Sequence, residues 1–279
     1  MNSKLLSISP VKFSQFNQKL EQLEINTICN EALCPNRPEC FLKYKTVTFL
    51  ALGNICTRAC KYCAVTRGKP KQLDPLEPNK ISFAIQQLEL QYVVITSVTR
   101  DDLPDGGAEQ FAKIIKKVKE TNQIPIEVLI PDFNFNKESI QKIIVAQPTI
   151  INHNIESTEN FFKTIRPIGN YKKSLELLAY CKQIAPQITT KSGFMIGVGE
   201  SMNDIKQTLI DLKKHQVDII TIGQYLAPQK KYHTIKKIYN EKEFQEIKQF
   251  AKQLRFKTAF IGQNIRSSYH AEEIASEGE

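Results

Sequence analysis

Six short apolar runs, rich in β-branched residues, are spaced along the chain. They cover residues 46–53, 92–98, 124–130, 149–155, 192–198 and 218–226. Short runs that stay apolar on both alternating faces are typical of strands buried on both sides of a parallel sheet. A further run at residues 257–264 is a candidate for a strand that closes or covers this sheet.

Between these runs, apolar residues recur at helical spacing. In residues 107–120, Phe111, Ile114, Ile115 and Val118 fall on one face of a helix. The same pattern is repeated in residues 137–147, 171–183 and 204–215. Strands that alternate with helices of this length predict an α/β fold, either a βα barrel or a large part of one.

Polar residues gather where the predicted strands end. They include residues 97–102, 152–156 and 197–200, together with Gln224 and Tyr225. In βα barrels the loops that follow the strands carry the functional site. We therefore expect the site at the carboxyl ends of the strands.

Composition limits the size and location of the protein. With 279 residues, 41% of them hydrophobic, the chain can bury the core of one barrel-sized domain with short extensions. No apolar stretch approaches the length that spans a bilayer, and the amino-terminal segment lacks the features of a secretory signal. We expect a protein of the cytoplasm, or of an organelle matrix or stroma, with no membrane partner.

The formal net charge of +9 attracts acidic partners, either nucleic acid or an acidic carrier protein. Lysines are scattered over helical patterns such as KIIKKVKE, and they form no long basic block. This distribution favours a solvated lysine-rich surface and gives no specific sign of a nucleic acid site.

Cysteine is the residue type with the most uneven distribution. Six of the seven cysteines lie within residues 29–63, and the seventh is Cys181. The six form two triplets, C-x4-C-x5-C at Cys29, Cys34 and Cys40, and C-x3-C-x2-C at Cys56, Cys60 and Cys63.

Three explanations compete for the two triplets. A disulfide framework belongs to small secreted domains. A structural zinc site needs four ligands in paired spacing, which the four scattered histidines do not complete. Iron-sulfur clusters fit better, because soft thiolates select them and three thiolates leave the fourth iron of a cubane open for chemistry.

The later triplet lies in GNICTRACKYCAV, with Tyr62 before its last cysteine. This segment resembles the C-x3-C-x-aromatic-C motif of radical S-adenosylmethionine (SAM) enzymes. The resemblance implies a 4Fe-4S cluster held by Cys56, Cys60 and Cys63, with SAM bound to its open iron and cleaved to a deoxyadenosyl radical. It also implies a partial (βα)6 TIM-type barrel of the radical SAM kind.

The earlier triplet is similar to the auxiliary-cluster motif of the lipoyl synthase family. Cys29, Cys34 and Cys40 occur in CNEALCPNRPEC, which includes the family's proline after the second cysteine. Further matching segments are VVITSVTRDDLPDGGA, NHNIES, IRPIGNYKKSLELL, KSGFMIGVGE, IGQYLAP and IRSSYHA. The resemblance implies that Ser268, in the RSSY segment, is the fourth ligand of a second 4Fe-4S cluster.

The resemblance also implies an activity and its partners. Two sulfurs from the auxiliary cluster would enter carbons 6 and 8 of a protein-bound octanoyl-lysine, with Cys56, Cys60, Cys63 and Ser268 as catalytic residues. Implied partners are octanoylated lipoyl carrier domains of 2-oxoacid dehydrogenases or the glycine cleavage carrier protein. An electron donor such as ferredoxin or flavodoxin and an iron-sulfur carrier protein are implied as well.

Two other functions stay open at this point. A tRNA methylthiotransferase is another radical SAM enzyme that inserts sulfur, but the chain leaves no residues for an added RNA-binding domain. A non-catalytic iron-sulfur or zinc module that binds nucleic acid would leave the polar strand ends without a role. We therefore expect no nucleic acid partner.

For SAM, the resemblance points to Tyr62 beside the adenine and to Asn154, Glu156 and Arg166 near the polar groups. It places the segment at residues 193–200 along the adenine edge. These residues end predicted strands, where side chains often form turns or caps instead.

Two more residues receive no catalytic role. Cys181 falls in line with Leu175 and Leu178 on a helix face, where a free cysteine packs as a small hydrophobic residue. His153 lies at a strand end without a metal-like partner, and it stays unassigned.

The sequence predicts three segments: an extension with the auxiliary cysteines at 1–45, the barrel at 46–256, and an extension with the serine ligand at 257–279. Two stretches depart from the family pattern. FIGQN stands where Gly-Pro is usual, and YLAPQKKYH varies a segment thought to line the substrate side. These departures concern the shapes of loops.

Overall fold

The computed structural model describes residues 9–32, 34 and 36–268. Its strands are β1 (Thr46–Ala51), β2 (Ile55–Cys56), β3 (Thr66–Arg67), β4 (Tyr92–Ser97), β5 (Ile126–Leu129), β6 (Ile150–Asn152), β7 (Thr189–Ile196), β8 (Ile219–Gln224) and β9 (Thr258–Gly262). Within the described residues, seven strands form one parallel sheet in the order β1-β4-β5-β6-β7-β8-β9. Strands β2 and β3 pair separately.

The helices cover one turn to four turns each. They are α1 (Pro10–Gln22), α2 (Ile28–Glu31), α3 (Arg37–Leu42), α4 (Glu77–Gln87), α5 (Ala108–Thr121), α6 (Lys137–Ala146), α7 (Glu159–Ile165), α8 (Tyr171–Ile184), α9 (Met202–Lys214) and α10 (Glu241–Gln253). At least one helix lies between each pair of consecutive strands from β3 to β9. Among the described residues, no helix has both the length and the apolar character needed to cross a membrane.

The predicted α/β partial barrel is confirmed. The six predicted strands appear as β1 and β4 to β8, and each pairs in parallel with the next. The sheet has one strand more than the six predicted, because β9 pairs in parallel with β8 from Ile219 to Gly223. The candidate run at 257–264 therefore extends the sheet.

Amphipathic helices cover the outer face of the sheet. The α5 residues Phe111, Ile114, Ile115 and Val118 are all fully buried, as their spacing predicts. Burying each such side chain contributes roughly 1.5–3 kcal/mol relative to leaving it exposed. This helix layer packs against the strands that carry the site and shares one apolar core with them.

The inner face of the sheet contains a buried ion pair. Lys191 Nζ lies 2.9 Å from Glu127 Oε2, and both side chains are fully inaccessible to solvent. The Tyr92 hydroxyl donates to the same carboxylate at 3.1 Å, and the Asn152 amide donates to it at 2.8 Å. A buried carboxylate needs such partners, because desolvation alone would strongly disfavour its charge.

The segments that flank the two edge strands contact each other. Beside β1, Leu50 N donates to Asn26 O at 2.8 Å, and Thr27 forms an antiparallel bridge with Phe49. Beyond β9, Asn264 O accepts from the Asn36 side chain at 3.1 Å. The sequence segments with the first cysteine triplet and the serine motif therefore meet, although the proposed division into three segments stays a prediction.

Replacing Lys191 with Met should destabilise the fold strongly. The change leaves Glu127 buried without its cation, and breaking a buried pair in this way costs about 3–5 kcal/mol. Urea unfolding monitored by circular dichroism measures the loss. The control is Lys113→Met, because Lys113 pairs with Glu109 on the surface and should lose under about 1 kcal/mol. Equal losses in the two variants would contradict a structural role for the buried pair.

Candidate active site

The loop with Cys56, Cys60 and Cys63 follows β1 and therefore lies at the carboxyl end of the sheet. At its start Leu52 and Gly53 have φ angles of 66° and 93°, a left-handed turn that reverses the chain. Glu77 accepts from Leu52 N at 2.9 Å, and Arg100 donates to Leu52 O at 3.0 Å. The turn is therefore held on both sides.

The three thiols of this loop influence one another electrostatically. The pKa of Cys60 is raised to about 11 and that of Cys63 to about 12, mainly by burial and in part by the neighbouring thiols of the triplet. Thiolates this close repel each other, so a bound cation is needed to hold them charged together. A set of thiolate donors suits an iron-sulfur cluster.

The thiols do not converge on a single point. Within the described part of the chain, no group of three or more His, Cys, Asp or Glu side chains could hold a metal ion. In a 4Fe-4S cubane, however, each thiolate binds a different iron atom. The separated thiols are therefore compatible with a cluster.

Arg58 anchors the cysteine loop to the ends of two strands. Its Nε and Nη2 donate to both oxygens of Asp101 at 2.7 Å, its Nη1 to Asp132 at 2.6 Å, and its Nη2 to Asn134 at 2.7 Å. Burial alone would lower the pKa of Arg58, but the hydrogen bonds to Asp101 and Asp132 raise it overall. The sequence analysis did not identify this anchor.

A cavity of about 170 Å³ opens at the ends of β7 and β8, next to the cysteine loop. We call it the Tyr62 cavity. Three of the four residues predicted to contact SAM line it, namely Tyr62, Asn154 and Glu156. Its far wall is formed by Leu226, Arg266 and Ser267.

Glu156 has a backbone conformation that turns its side chain into this cavity. Its φ is 67°, while its N–H donates to Gly193 O and its carbonyl accepts from Met195 N, both at 3.0 Å. Burial raises the pKa of the Glu156 carboxyl, although Arg166 and hydrogen bonds from Tyr62 and Asn154 oppose the rise. A ligand with hydrogen-bond donors would stabilise its charged form.

The Tyr62 cavity fits a polar ligand of the size of part of SAM. Among the described residues, the buried Asn154 Oδ1 has no hydrogen-bond partner. A Cβ at Gly193 would collide with the Thr221 side chain, and one at Gly223 would collide with the Ile265 carbonyl. The cavity therefore depends on two glycines and offers an unused acceptor to a ligand.

Arg166 lies behind the wall of this cavity and is not one of the described residues that line it. Its Nη1 donates to Asn154 O and its Nη2 to Asp132 Oδ2, both at 3.1 Å. Asp132 is the carboxylate that also binds Arg58. Arg166 therefore connects Asn154 to the anchor of the cysteine loop.

A second cavity, of about 460 Å³, lies where the amino- and carboxyl-terminal segments meet. We call it the Ser268 cavity. All four predicted ligands of the second cluster line it, namely Cys29, Cys34, Cys40 and Ser268. Burial raises the pKa of Cys29 to about 11, and the Cys34 thiol adds to the rise.

The two cavities share part of their walls. Leu226, Arg266 and Ser267 line both the Tyr62 cavity and the Ser268 cavity. The remaining wall of the Ser268 cavity includes the apolar residues Ile28, Ala32, Ala227 and Pro228. An apolar ligand in the Ser268 cavity would therefore lie directly beside a ligand in the Tyr62 cavity.

The two residues without a catalytic role are both buried in the fold. His153 is buried, with Nδ1 2.9 Å from Ile130 O and Nε2 3.1 Å from Ser174 Oγ. Burial lowers its pKa to about 4, so the ring is neutral and Nδ1–H donates to the carbonyl. Cys181 is fully buried, which confirms the predicted packing role. Tyr269, next to Ser268, lies outside the described residues.

The chain is similar in sequence to radical SAM proteins and to curated lipoyl synthases. The family model of the radical SAM superfamily matches residues 50–212. Lipoyl synthase of Caldicellulosiruptor saccharolyticus is 46% identical over 255 residues, which cover 91% of this chain and 89% of that protein. Lipoyl synthase of Buchnera aphidicola is 43% identical over 266 residues, covering 95% and 84%.

A solved structure shows the same fold at low sequence identity. Streptococcus suis SuiB, crystallised with S-adenosylmethionine, superposes with a TM-score of 0.61 and 11% identity. The match covers 90% of this chain and 61% of that one. At this identity the likeness concerns the fold alone.

Replacing Arg58 with Lys should remove the first cluster. Lysine keeps the charge but lacks the planar fork that binds Asp101, Asp132 and Asn134 together. We expect the iron content after anaerobic reconstitution to fall from about eight to about four atoms per chain. Arg67→Lys is the control, because Arg67 is exposed in the same loop. Full iron content in the Arg58 variant would contradict the anchor.

Proposed function

The chain belongs to the lipoyl synthase family of the radical SAM superfamily, and on this premise we propose that it inserts two sulfur atoms into a protein-bound octanoyl chain. The sulfurs enter at carbons 6 and 8 of an octanoyl-lysine. No neighbouring carbonyl acidifies the hydrogens at these carbons, so a general base cannot remove them. An enzyme of radical SAM type, with SAM and 4Fe-4S clusters, matches this need.

The observation that carries the proposal is the pair of adjoining cavities. One contains residues suited to a polar cofactor beside the Cys56–Cys60–Cys63 loop, and the other contains three thiols and a hydroxyl. Their shared wall brings a ligand in one cavity next to a ligand in the other. An acyl chain between them would contact both the cofactor in the Tyr62 cavity and the cluster in the Ser268 cavity.

Each group of residues has a distinct task in the proposal. Bound SAM and the iron-sulfur clusters supply radical hydrogen abstraction and transferable sulfide. Cys56, Cys60 and Cys63 hold the first cluster, with Arg58 fixing their loop. Tyr62 faces the cofactor from the loop that holds this cluster.

The polar residues beyond the loop orient SAM. Asn154 and Glu156 provide acceptors in the Tyr62 cavity, and Arg166 holds the Asn154 backbone. The segment at 193–200 contributes Gly193, Phe194 and Met195 to the wall of the same cavity. These contacts suit a zwitterionic ligand, because Glu156 receives donors while Arg166 supplies nearby positive charge.

Ser268 is the fourth ligand of the second cluster in this proposal, with Cys29, Cys34 and Cys40. A hard serine oxygen matches iron-sulfur chemistry less well than a soft thiolate. The ligand should therefore dissociate more readily than a cysteine would. Such a weak bond suits a cluster that gives up its sulfide.

The apolar wall of the Ser268 cavity receives the acyl chain. Ile28 and Ala32 contribute from the amino-terminal segment, and Leu226, Ala227 and Pro228 from the loop after β8. Ligand sites commonly combine such apolar walls with a few polar groups that fix orientation. The walls also exclude water from the reacting carbons.

The proposal includes the following partners and location. The acceptor is an octanoylated lipoyl carrier domain of a 2-oxoacid dehydrogenase or the glycine cleavage carrier protein. A ferredoxin or flavodoxin supplies electrons, and an iron-sulfur carrier protein rebuilds the consumed cluster. The protein acts in the cytoplasm or an organelle matrix. Because the chain belongs to the lipoyl synthase family, the alternative of a tRNA methylthiotransferase has no support.

Alanine variants of one cysteine from each triplet should separate the two cluster functions. We expect Cys34→Ala to keep reductive SAM cleavage and lose sulfur insertion, while Cys60→Ala loses both. Deoxyadenosine is measured by chromatography and sulfur insertion by mass spectrometry of an octanoyl-lysyl peptide, both under anaerobic conditions. Cys181→Ala is the matched control and should keep both activities. Sulfur insertion by Cys34→Ala would refute the role of the Ser268 cavity.

The substitution Ser268→Cys tests the weak ligand separately. A fourth thiolate should retain the cluster, so the iron content stays at about eight atoms per chain. It should slow sulfur insertion at least about tenfold, because a soft ligand binds the iron more tightly. Deoxyadenosine formation in the same samples provides the internal control. Undiminished sulfur insertion would show that release of the serine ligand does not limit the reaction.

A further inference from the structure

A lysine-rich loop follows β8 at the mouth of the Ser268 cavity. It comprises residues 226–238, and we call it the lysine loop. Its first three residues line the Ser268 cavity. Its exposed lysines include Lys230, Lys231 and Lys236, so the loop that supplies part of the apolar wall of the cavity also carries exposed positive charge.

Hydrogen bonds fix the lysine loop beside the cysteine loop. His233 N donates to Lys61 O at 2.9 Å, and its ring Nε2 lies 2.9 Å from Val198 O. Lys236 N donates to Gly197 O at 2.8 Å. Lys61 is itself exposed, and its backbone hydrogen bond with His233 places it next to the lysine loop. The backbone of the loop is therefore fixed by the fold before any partner binds.

The lysines of this region are not neutralised by carboxylates in the described part of the chain. Lys230, Lys231, Lys236 and Lys61 form no ion pair there. Lys237, by contrast, lies 2.6 Å from Glu243. Four exposed cations without counter-charges, on the lysine loop and the adjoining cysteine loop, attract an acidic surface.

We propose that the lysine loop, together with Lys61, is the docking surface for an acidic carrier domain that presents the octanoyl-lysine. This inference rests on the proposed function. The apolar wall of the Ser268 cavity suits a partner with a protruding apolar chain, and the exposed lysines of the same loop suit a partner whose chain is flanked by carboxylates. A nucleic acid offers negative charge but no chain that fills the opening. Charges at the rim of an interface mainly govern the association rate and its salt dependence.

The test compares two substrates of one enzyme. The variant carries Lys230→Glu, Lys231→Glu and Lys236→Glu, and the substrates are an octanoylated lipoyl domain of negative net charge and an uncharged octanoyl-lysyl tripeptide. Dithionite is the reductant, so no protein electron donor takes part. We expect KM for the domain to rise at least about tenfold at low salt, with kcat and tripeptide kinetics unchanged. Added NaCl should raise the wild-type KM and not that of the variant.

A control variant makes the same change in charge elsewhere. Lys113→Glu, Lys116→Glu and Lys119→Glu alter exposed residues of α5, and KM for the domain should then stay within about twofold of wild type. Equal effects of the two triple variants would overturn the proposal, because net charge alone would explain them. An unchanged KM in the lysine-loop variant would overturn it too.

Four further outcomes are informative. Loss of tripeptide turnover in the lysine-loop variant would overturn the proposal by showing that the site itself is damaged. A defect that appears only with a flavodoxin as reductant, or tighter loop-dependent binding of mixed-sequence RNA than of the domain, would assign the surface to another partner. Failure of the wild-type enzyme to modify either substrate would reject the proposed function itself.

Discussion

The structure depends on one buried carboxylate, Asp132, which binds two arginines. Burial alone would raise the pKa of Asp132, but Arg58 and Arg166 hold it below its ordinary value. Arg58 belongs to the cysteine loop, whereas Arg166 holds the backbone of Asn154 in the Tyr62 cavity. Removing one partner of such a buried pair costs about 3–5 kcal/mol. One charge therefore fixes the expected cluster loop relative to the expected cofactor cavity.

A second constraint comes from the open sheet. Because β1 and β9 are its two edges among the described strands, the segments beside them are free to meet, and Asn36 binds Asn264 across this junction. The Ser268 cavity forms there from thiols and a hydroxyl that are distant in sequence. The wall that it shares with the Tyr62 cavity places the proposed sulfide donor next to the proposed site of SAM cleavage. The proposed sulfur insertion depends on this adjacency.

Most of the fold could be predicted from local patterns of apolar residues in the sequence. The buried parallel strands appear as apolar runs, and the buried face of α5 appears as apolar residues at helical spacing. The two cysteine triplets were likewise visible through their spacing. The roles of Arg58 and Asp132 were not visible, since their contact joins residues 74 positions apart and leaves no local pattern. The pairing of β9 with β8 could not be predicted either, because a short apolar run does not indicate which strand it pairs with.

The central claim is that sulfide held in the Ser268 cavity becomes the sulfur of the product. Its most direct test is mass spectrometry of an octanoylated carrier domain after a single anaerobic turnover of enzyme reconstituted with sulfur-34 sulfide. The account predicts that both inserted sulfurs carry the heavy isotope, even when unlabelled sulfide is present in solution. Product that contains only sulfur of natural isotopic composition would contradict it.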